Sequence, residues 1–532
     1  MSKENNENIK IKIREVKSVT EEQIQFVMNL PEVKKYFEGS QYRILSTAFF
    51  DADKKEKRLE ECKSNFSDFH QITVYDYTRN RCVFIKVKPW KTKVIEITES
   101  VFQPEPNDEE FEAAVKVVLK KIENLQRCHE EKSVRIFKPM PPTLDVPLPS
   151  GEIQRTINVG IHSTVTDIRN EIVGVNMITH EIIHFDGAAP PGSNAGSDQC
   201  GVNGAGQPTT AKGTAGQCWV TVTQGGKEIW KFLVIRPSAS SGTKGSGVEL
   251  KFVDYKKKRV LYQAHVPILN IRYDNDACGP YRDWQYSEGM FNANGNDVAP
   301  GIRLCNTPAT TILDTDNDTG NFKGVAIYVQ GQEVILVSEM EAGWYRYISE
   351  WRLNSNGTIL PRFGFGAVQN SCVCNLHHHH VYWRFDFDIE TPGNNLVQEF
   401  NDPILIGNSH WHNKTFEIRR LKDSSRKRKW KISNTTTESA YEIIPGATDG
   451  VADSFGIGDL WVLRYHGGSE IDDGVSLTFG TPDECKEHID NFINGESVIN
   501  QDVVVWYAAH FTHDVNVHTG HIVGPTLKCV KW

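Results

Sequence analysis

Four consecutive histidines, His377, His378, His379 and His380, stand in the interior of the chain and run directly into VYWRFDFDI. Alternate side chains of a strand share a face, so the run offers two same-face pairs, His377 with His379 and His378 with His380. An i, i+2 pair of imidazoles can share one metal ion, and imidazole-rich sites suit copper, zinc, iron or nickel. The competing reading is an exposed polar patch. A third ligand has to come from another strand. His510 and His513 close QDVVVWYAAHFTH, His518 and His521 follow it, and His410 and His412 lie in NSHWHN. Each of these alone is more often a surface or core histidine than a ligand. No Cys and Met flank the cluster at the spacing of a blue-copper site, and spacing alone does not choose between the two histidine pairs.

The elements that must position such a site are mostly strands. Residues 1–20 are charged and expected to fray. TEEQIQFVMNLPEVKKYF then opens on a capping Thr20 and places Ile24, Val27, Met28 and Val33 near one helical face. The strand-like runs YRILSTAFF, HQITVYDY, RCVFIKVK and KVIEITESVF follow, with Asn80 marking a hairpin turn between the middle pair. A helix and a meander of strands make a small α+β domain over residues 1–105. Asn107 caps DEEFEAAVKVVLKKIENLQRC, acids first and lysines late, and KPMPPTLDVPLPSG reads as a linker, so residues 106–150 are a helix and a Pro-rich connection. Beyond Gly151 helix signals almost vanish. QCWVTVTQ, VELKFVDY, KRVLYQAHVPILNI, GVAIYVQ, EVILVSEM and DLWVLRYH, separated by Gly, Asn and Asp, predict a large antiparallel β-sandwich over residues 151–532. The fold class is therefore mostly β. The Gly- and Ala-rich stretch from Asp186 to Gln217 reads as a long surface loop.

Composition removes several alternatives. Acids outnumber bases 68 to 59, giving a net charge of −9, so no basic field for nucleic acid is expected. No stretch approaches the roughly 18 apolar residues of a membrane-spanning helix. The start, MSKENNENIKIKIREVK, lacks an apolar signal-peptide core, which makes the cytoplasm the expected location. Eleven cysteines at irregular spacing do not read as a disulfide framework.

Segments from about Trp230 onward resemble, in order, the catalytic domain of the copper amine oxidases. They are GVELKFVDYKKKRVLYQAHVPILNIRYDND, WYRYISEWRLNSNGTI, HHHHVYWRFDFDI with GNNLVQEFND, RKWKISN, DLWVLRYHGGSE and QDVVVWYAAHFTH. Members of that family are homodimers with a large β-sandwich, a copper ion on three histidines, and topaquinone made from a tyrosine of the chain. The family's H-x-H lies a fixed distance before an R-x-D, and Arg384 with Asp386 then selects His377 and His379. The family's third ligand matches His513 rather than His510. Copper on three imidazoles keeps positions open for water or O2. The resemblance also implies a peripheral calcium site, built from the carboxylates of Asp386, Asp388 and Asp502 and the backbone carbonyls of Phe387 and Val503. The small N-terminal unit is similar to the family's cystatin-like domains, in one complete copy.

The pattern breaks at the cofactor. The family's tyrosine sits in Asn-Tyr-Asp or Asn-Tyr-Glu, whereas the matching residues here are Trp344-Tyr345-Arg346-Tyr347. A permanent cation near a dication is costly unless Arg346 points away or is paired. Topaquinone formation also needs the ring to swing off the copper, which a bulky Trp344 hinders. The family's general base is an aspartate a few residues after a Trp. Here QYSEGMF follows Trp284, the match falls on Ser287, Glu288 or Gly289, and Glu288 is the one carboxylate among them. Tyr273, in IRYDND, matches the tyrosine that hydrogen-bonds to the quinone. The family's intradomain disulfide is expected to be missing, since Cys305 aligns and its partner does not.

Three functions are compatible with these residues. The first is a copper- and O2-dependent primary-amine oxidase in which Tyr345 matures to topaquinone. A second keeps copper and O2 with Tyr345 unmodified, acting on a non-amine, natural-product or peptide substrate. The third is a non-catalytic metal-binding homodimer.

Overall fold

The computed structural model describes residues 8–16, 20–50, 69–88, 94–100, 103–104, 106–137, 143, 146–163, 168, 171–184, 200–204, 216–237, 247–274, 281–283, 288–466, 482–513 and 521–532. Two large sheets dominate it. The first, of ten strands, runs in the spatial order Lys10–Glu15, Gln217–Gln224, Lys227–Ile235, Glu249–Tyr255, β1 (Lys258–Tyr273), His377–Phe387, Val503–His513, Leu460–Arg464 and Ile418–Arg420, with Tyr281–Asp283 paired to β1. The second has twelve strands. Its centre is β2 (Glu333–Ala342), β3 (Tyr345–Asn354) and β4 (Ile359–Ala367), and it continues through Thr526–Lys531 to Ala440–Ile444 and Lys429–Asn434. We call His377–Phe387 β5 and Val503–His513 β6.

The two sheets pack face to face over one large apolar cluster, and residue parity along each strand shows which side chains enter it. Val381, Trp383, Phe385 and Phe387 of β5, with Val503, Val505, Tyr507, Ala509 and Phe511 of β6, belong to the cluster between the sheets. Their neighbours Tyr382, Val504, Trp506 and Ala508 join a separate cluster on the outer face, under Ile489 and Phe492. Both faces are thus covered, which is why these strands are apolar almost without interruption. Odd-numbered residues of both strands point inward.

Two smaller α+β units precede the sandwich. In the first, helices Glu21–Met28 and Pro31–Tyr36 cover an antiparallel sheet of Tyr42–Phe50, Phe69–Asp76, Arg81–Val87 and Val94–Ser100. Thr20 and Gln23 close the expected N-terminal capping box. In the second, helix Asp108–Lys121 packs Phe111, Ala114 and Val118 against Ile157, Val159, Ile161, Val173 and Val175. That sheet comprises Ile182–His184, Glu171–Asn176, Thr156–Ser163 and Val134–Phe137. The boundary expected at residue 150 runs through this unit, because the helix and the strands that bury its apolar face lie on either side of it. Arg155 and Glu110, both fully buried, pair at 2.6 Å, and Tyr77 of the first unit donates to the same Glu110 at 2.6 Å.

Two local expectations are corrected. Within the segment expected to fray, Lys10–Glu15 is an edge strand of the ten-stranded sheet, paired with Gln217–Gln224. Its Ile11 and Ile13 alternate with charges and pack on the main core, so the period-2 signal outweighed the charge count. The chain also carries disulfide chemistry: Cys200 is bonded to Cys374, and Cys372 is disulfide-bonded as well. Spacing could not show this, since Cys200 and Cys374 are 174 residues apart. Cys305 is a buried free thiol. No helix among the described residues is long and apolar enough to cross a membrane.

Candidate metal centre

Antiparallel pairing of β5 and β6 sets the site. The register places His377 opposite His513, His379 opposite Phe511 and His380 opposite His510. By parity His377, His379 and His513 enter the space between the sheets. Their ligand nitrogens lie within 4.8 Å of one another, and the residues are 0%, 0% and 3% exposed. His378 and His380 point to the other face. There His378 Nδ1 meets Thr512 Oγ1 at 3.2 Å, and His380 Nδ1 meets His510 Nδ1 at 2.7 Å. His510 is held in turn by Asp459 at 3.0 Å. Of the two histidine pairs, one therefore finds a third imidazole to complete a metal set, and the other is absorbed into a hydrogen-bonded network. His410 bonds the carbonyl of Asn401, and His521 stacks on Phe511 with centroids 3.9 Å apart. His518 lies outside the described residues.

The fourth group comes from the opposite sheet. Gly343, at φ 57°, and Trp344 form the two-residue turn between β2 and β3, whose register pairs Ala342 with Tyr345. Tyr345 is 1% exposed, and its hydroxyl bonds His377 Nε2 and lies 2.8 Å from His513 Nδ1. His377 Nδ1 bonds the carbonyl of Asn375 at 2.5 Å, so Nδ1 carries the proton and the Nε2 lone pair faces the site. Among the described residues, both ring nitrogens of His379 are buried without a hydrogen-bond partner. Burial pushes His377 down to about 3, reinforced by the neighbouring His513 and opposed by the Asn375 bond; His379 is driven well below the usual histidine range by burial and by His377. Neutral imidazoles are the metal-binding form, and an orphaned buried imidazole is a ligand position, so the donor set fits a metal such as copper.

Around this centre the altered residues find definite places. Tyr273, at the end of β1, pairs in register with His377 and stacks on its ring at 4.5 Å. Its hydroxyl accepts a hydrogen bond from Trp344 Nε1 at 2.9 Å. Arg346 lies on the face of β3 away from the histidines, fully buried, and meets Asp318 through Nε at 2.7 Å and Nη2 at 3.0 Å. Nη1 donates to the carbonyls of Gly343 and Tyr345, at 3.1 and 2.9 Å. The cation thus both points away and is paired. Glu288 is fully buried beside β2, in an isolated bridge with Met340, and its carboxylate is gripped by Arg236 through Nε at 2.8 Å and through Nη2.

Asp386, Asp388 and Asp502 also bring carboxylate oxygens within 4.8 Å of one another, with Phe387 and Val503 paired in register beside them. A third such group, Glu417, His466 and Glu496, escaped the sequence reading because its members sit in unrelated segments with no local motif.

A family model described as "Copper amine oxidase, enzyme domain" matches residues 361–519, a stretch that contains all three histidines and the three aspartates and excludes Tyr345 and Glu288. Over that stretch, less than a third of its length, the chain is similar to the enzyme domain of the copper amine oxidases. No curated protein matches it by sequence. Among solved structures, a copper-containing benzylamine oxidase from Hansenula polymorpha superposes with a TM-score of 0.60 at 14% identity, covering 95% of this chain and 96% of that one. The Pichia pastoris lysyl oxidase gives 0.56 at 12% identity over 96% and 89%. An Aspergillus nidulans amine oxidase gives 0.55 at 14% identity over 97% and 90%. At these identities the likeness is one of fold, shared along nearly the whole chain.

Proposed function

We propose that this protein is a copper-dependent, O2-using oxidoreductase acting on a small-molecule or peptide substrate. The observation that carries the reading is the convergence of the buried His377, His379 and His513 beside Tyr345, whose hydroxyl meets His377 and His513. Copper bound there would supply one-electron chemistry and open coordination positions. The chain's own residues do the positioning. The Asn375 carbonyl fixes the His377 tautomer, the Tyr273 ring braces His377 from behind, and the apolar cluster between the sheets excludes water.

Two chemistries divide on Tyr345. Oxidative deamination of a primary amine, as the names of the similar structures suggest, needs topaquinone and a carboxylate base. Glu288 is the one carboxylate among the three matching positions, and its two oxygens are engaged by Arg236 in a buried pair. A base gripped by a guanidinium is poorly placed to take a proton from substrate. That pair favours the second reading, a topaquinone-free copper oxidase or oxygenase on a non-amine substrate. The same proposal takes the first α+β unit as cystatin-like and the two-sheet sandwich as the catalytic domain. It makes the protein a homodimer and places calcium at Asp386, Asp388 and Asp502 with the carbonyls of Phe387 and Val503.

Copper-loaded protein in an oxygen electrode, offered aromatic and aliphatic primary amines alongside phenols, thiols and peptides, tests the reading. Copper-dependent O2 uptake with one substrate class, abolished in His377→Ala, is the expected result. Uptake that is absent throughout, or indifferent to His377, removes it.

A further inference from the structure

We propose that the phenol oxygen of Tyr345 is itself a ligand of the metal held by His377, His379 and His513, and that the side chain remains a tyrosine. The inference rests on the copper reading above and deepens it. Its first support is position. The hydroxyl already meets His377 Nε2 and stands 2.8 Å from His513 Nδ1, the nitrogens of two members of the metal set. Three imidazoles and a phenol oxygen make a mixed nitrogen and oxygen donor set that suits divalent copper. Ligation needs no oxidant: the metal–oxygen bond forms as the O–H bond breaks, the proton passes to solvent, and no electron moves.

The second support is restraint. Conversion of the ring to a quinone requires it to leave the metal, and the chain on both sides of Tyr345 is anchored. On the C-terminal side, Arg346 is fixed by its paired bonds to Asp318 and ties down the carbonyls of Gly343 and Tyr345. On the N-terminal side, Trp344 is tied through its indole N–H to Tyr273, whose ring lies flat on His377. The ring itself is enclosed. Tyr347 lies parallel to it with centroids 5.4 Å apart, and His379 meets it edge-on at 4.6 Å. An indole and a guanidinium at positions 344 and 346 thus convert a site for a mobile ring into one for a fixed donor.

The test uses the full chain purified without copper and then loaded with Cu2+ in air. Copper content, visible absorption and the mass of the peptide containing Tyr345 are recorded. The expected result is stoichiometric copper and a phenolate-to-copper charge-transfer band. In Tyr345→Phe the band should vanish while copper is retained. The wild-type peptide mass should stay that of tyrosine, with no phenylhydrazine adduct. A quinone mass, an adduct, or bound copper without the band overturns the inference and leaves the copper reading standing. Failure to bind copper overturns both. The wild-type band and mass decide the question even where the phenylalanine variant does not fold.

Discussion

His377 and His513 face each other directly across the pairing of β5 and β6, with ring centroids 4.8 Å apart, although 136 positions separate their numbers in the chain. Removal of either should therefore dismantle the same centre. His377→Ala and His513→Ala are expected to weaken copper binding at least as much as the 10–100-fold typical of a lost supporting contact. His378→Ala, on the opposite face of the same strand, should leave copper binding unchanged. Competition titration against a copper chelator measures all three, and equal losses at positions 377 and 378 would break the parity argument.

Asp386, Asp388 and Asp502 meet at the far end of the same strand pair. Calcium held there as proposed would stabilise the folded arrangement alone, so adding it to metal-free protein should raise the melting temperature by mass action. Asp502→Asn should abolish that rise. Scanning calorimetry with and without the ion reads it, and a variant that still responds fully would exclude this cluster.

Glu339 gives the fold a pH signature. Burial raises its carboxyl to about 8, against the opposing effects of the Ile312 N–H bond and the nearby Arg346. The folded state thus holds a proton that the unfolded chain releases near its ordinary value of 4.5. The stabilising contribution is complete below that value and is lost as pH rises through about 8. Urea denaturation at pH 6 and at pH 9 should show wild type losing stability relative to Glu339→Gln, by roughly a few kcal/mol. A glutamine variant with the same pH slope as wild type would contradict this.

Arg155 and Glu110 join the second α+β unit internally, and Tyr77 brings the first unit to the same carboxylate. Arg155→Met leaves that carboxylate buried without its cation. A cost of about 3–5 kcal/mol is expected. Glu110→Gln with Arg155→Met, which removes both charges, should recover part of it. Chemical denaturation of the two variants makes the comparison.

The fold was legible wherever a single strand or helix carries its own signal. The capping box at Thr20, the helix start at Asp108 and the alternating runs of the sandwich stand where their patterns put them, while the helix expected to run on to Cys128 ends at Lys121 and a second one takes up Leu125–Glu130. The histidine run was legible as two faces, because parity is local. Which face gathers a third imidazole depended on the register of β5 against β6, a long-range fact that the residues alone left open. Pairings between distant segments were illegible for the same reason. Arg236 grips Glu288 and Cys200 bonds Cys374 through topology, and no local pattern around either member announces its partner. Lys10–Glu15 is a different case. Its alternation is visible in the residues, but so charged a segment reads as solvated until the partner strand Gln217–Gln224 is known.

The centre draws its imidazoles from one sheet and its phenol from the other. A chain that has built only one of them owns an incomplete site. An ion taken up by the imidazoles alone would meet the phenol only when the sandwich closes, so the expected phenolate-to-copper band would report on how many molecules in a preparation have finished folding.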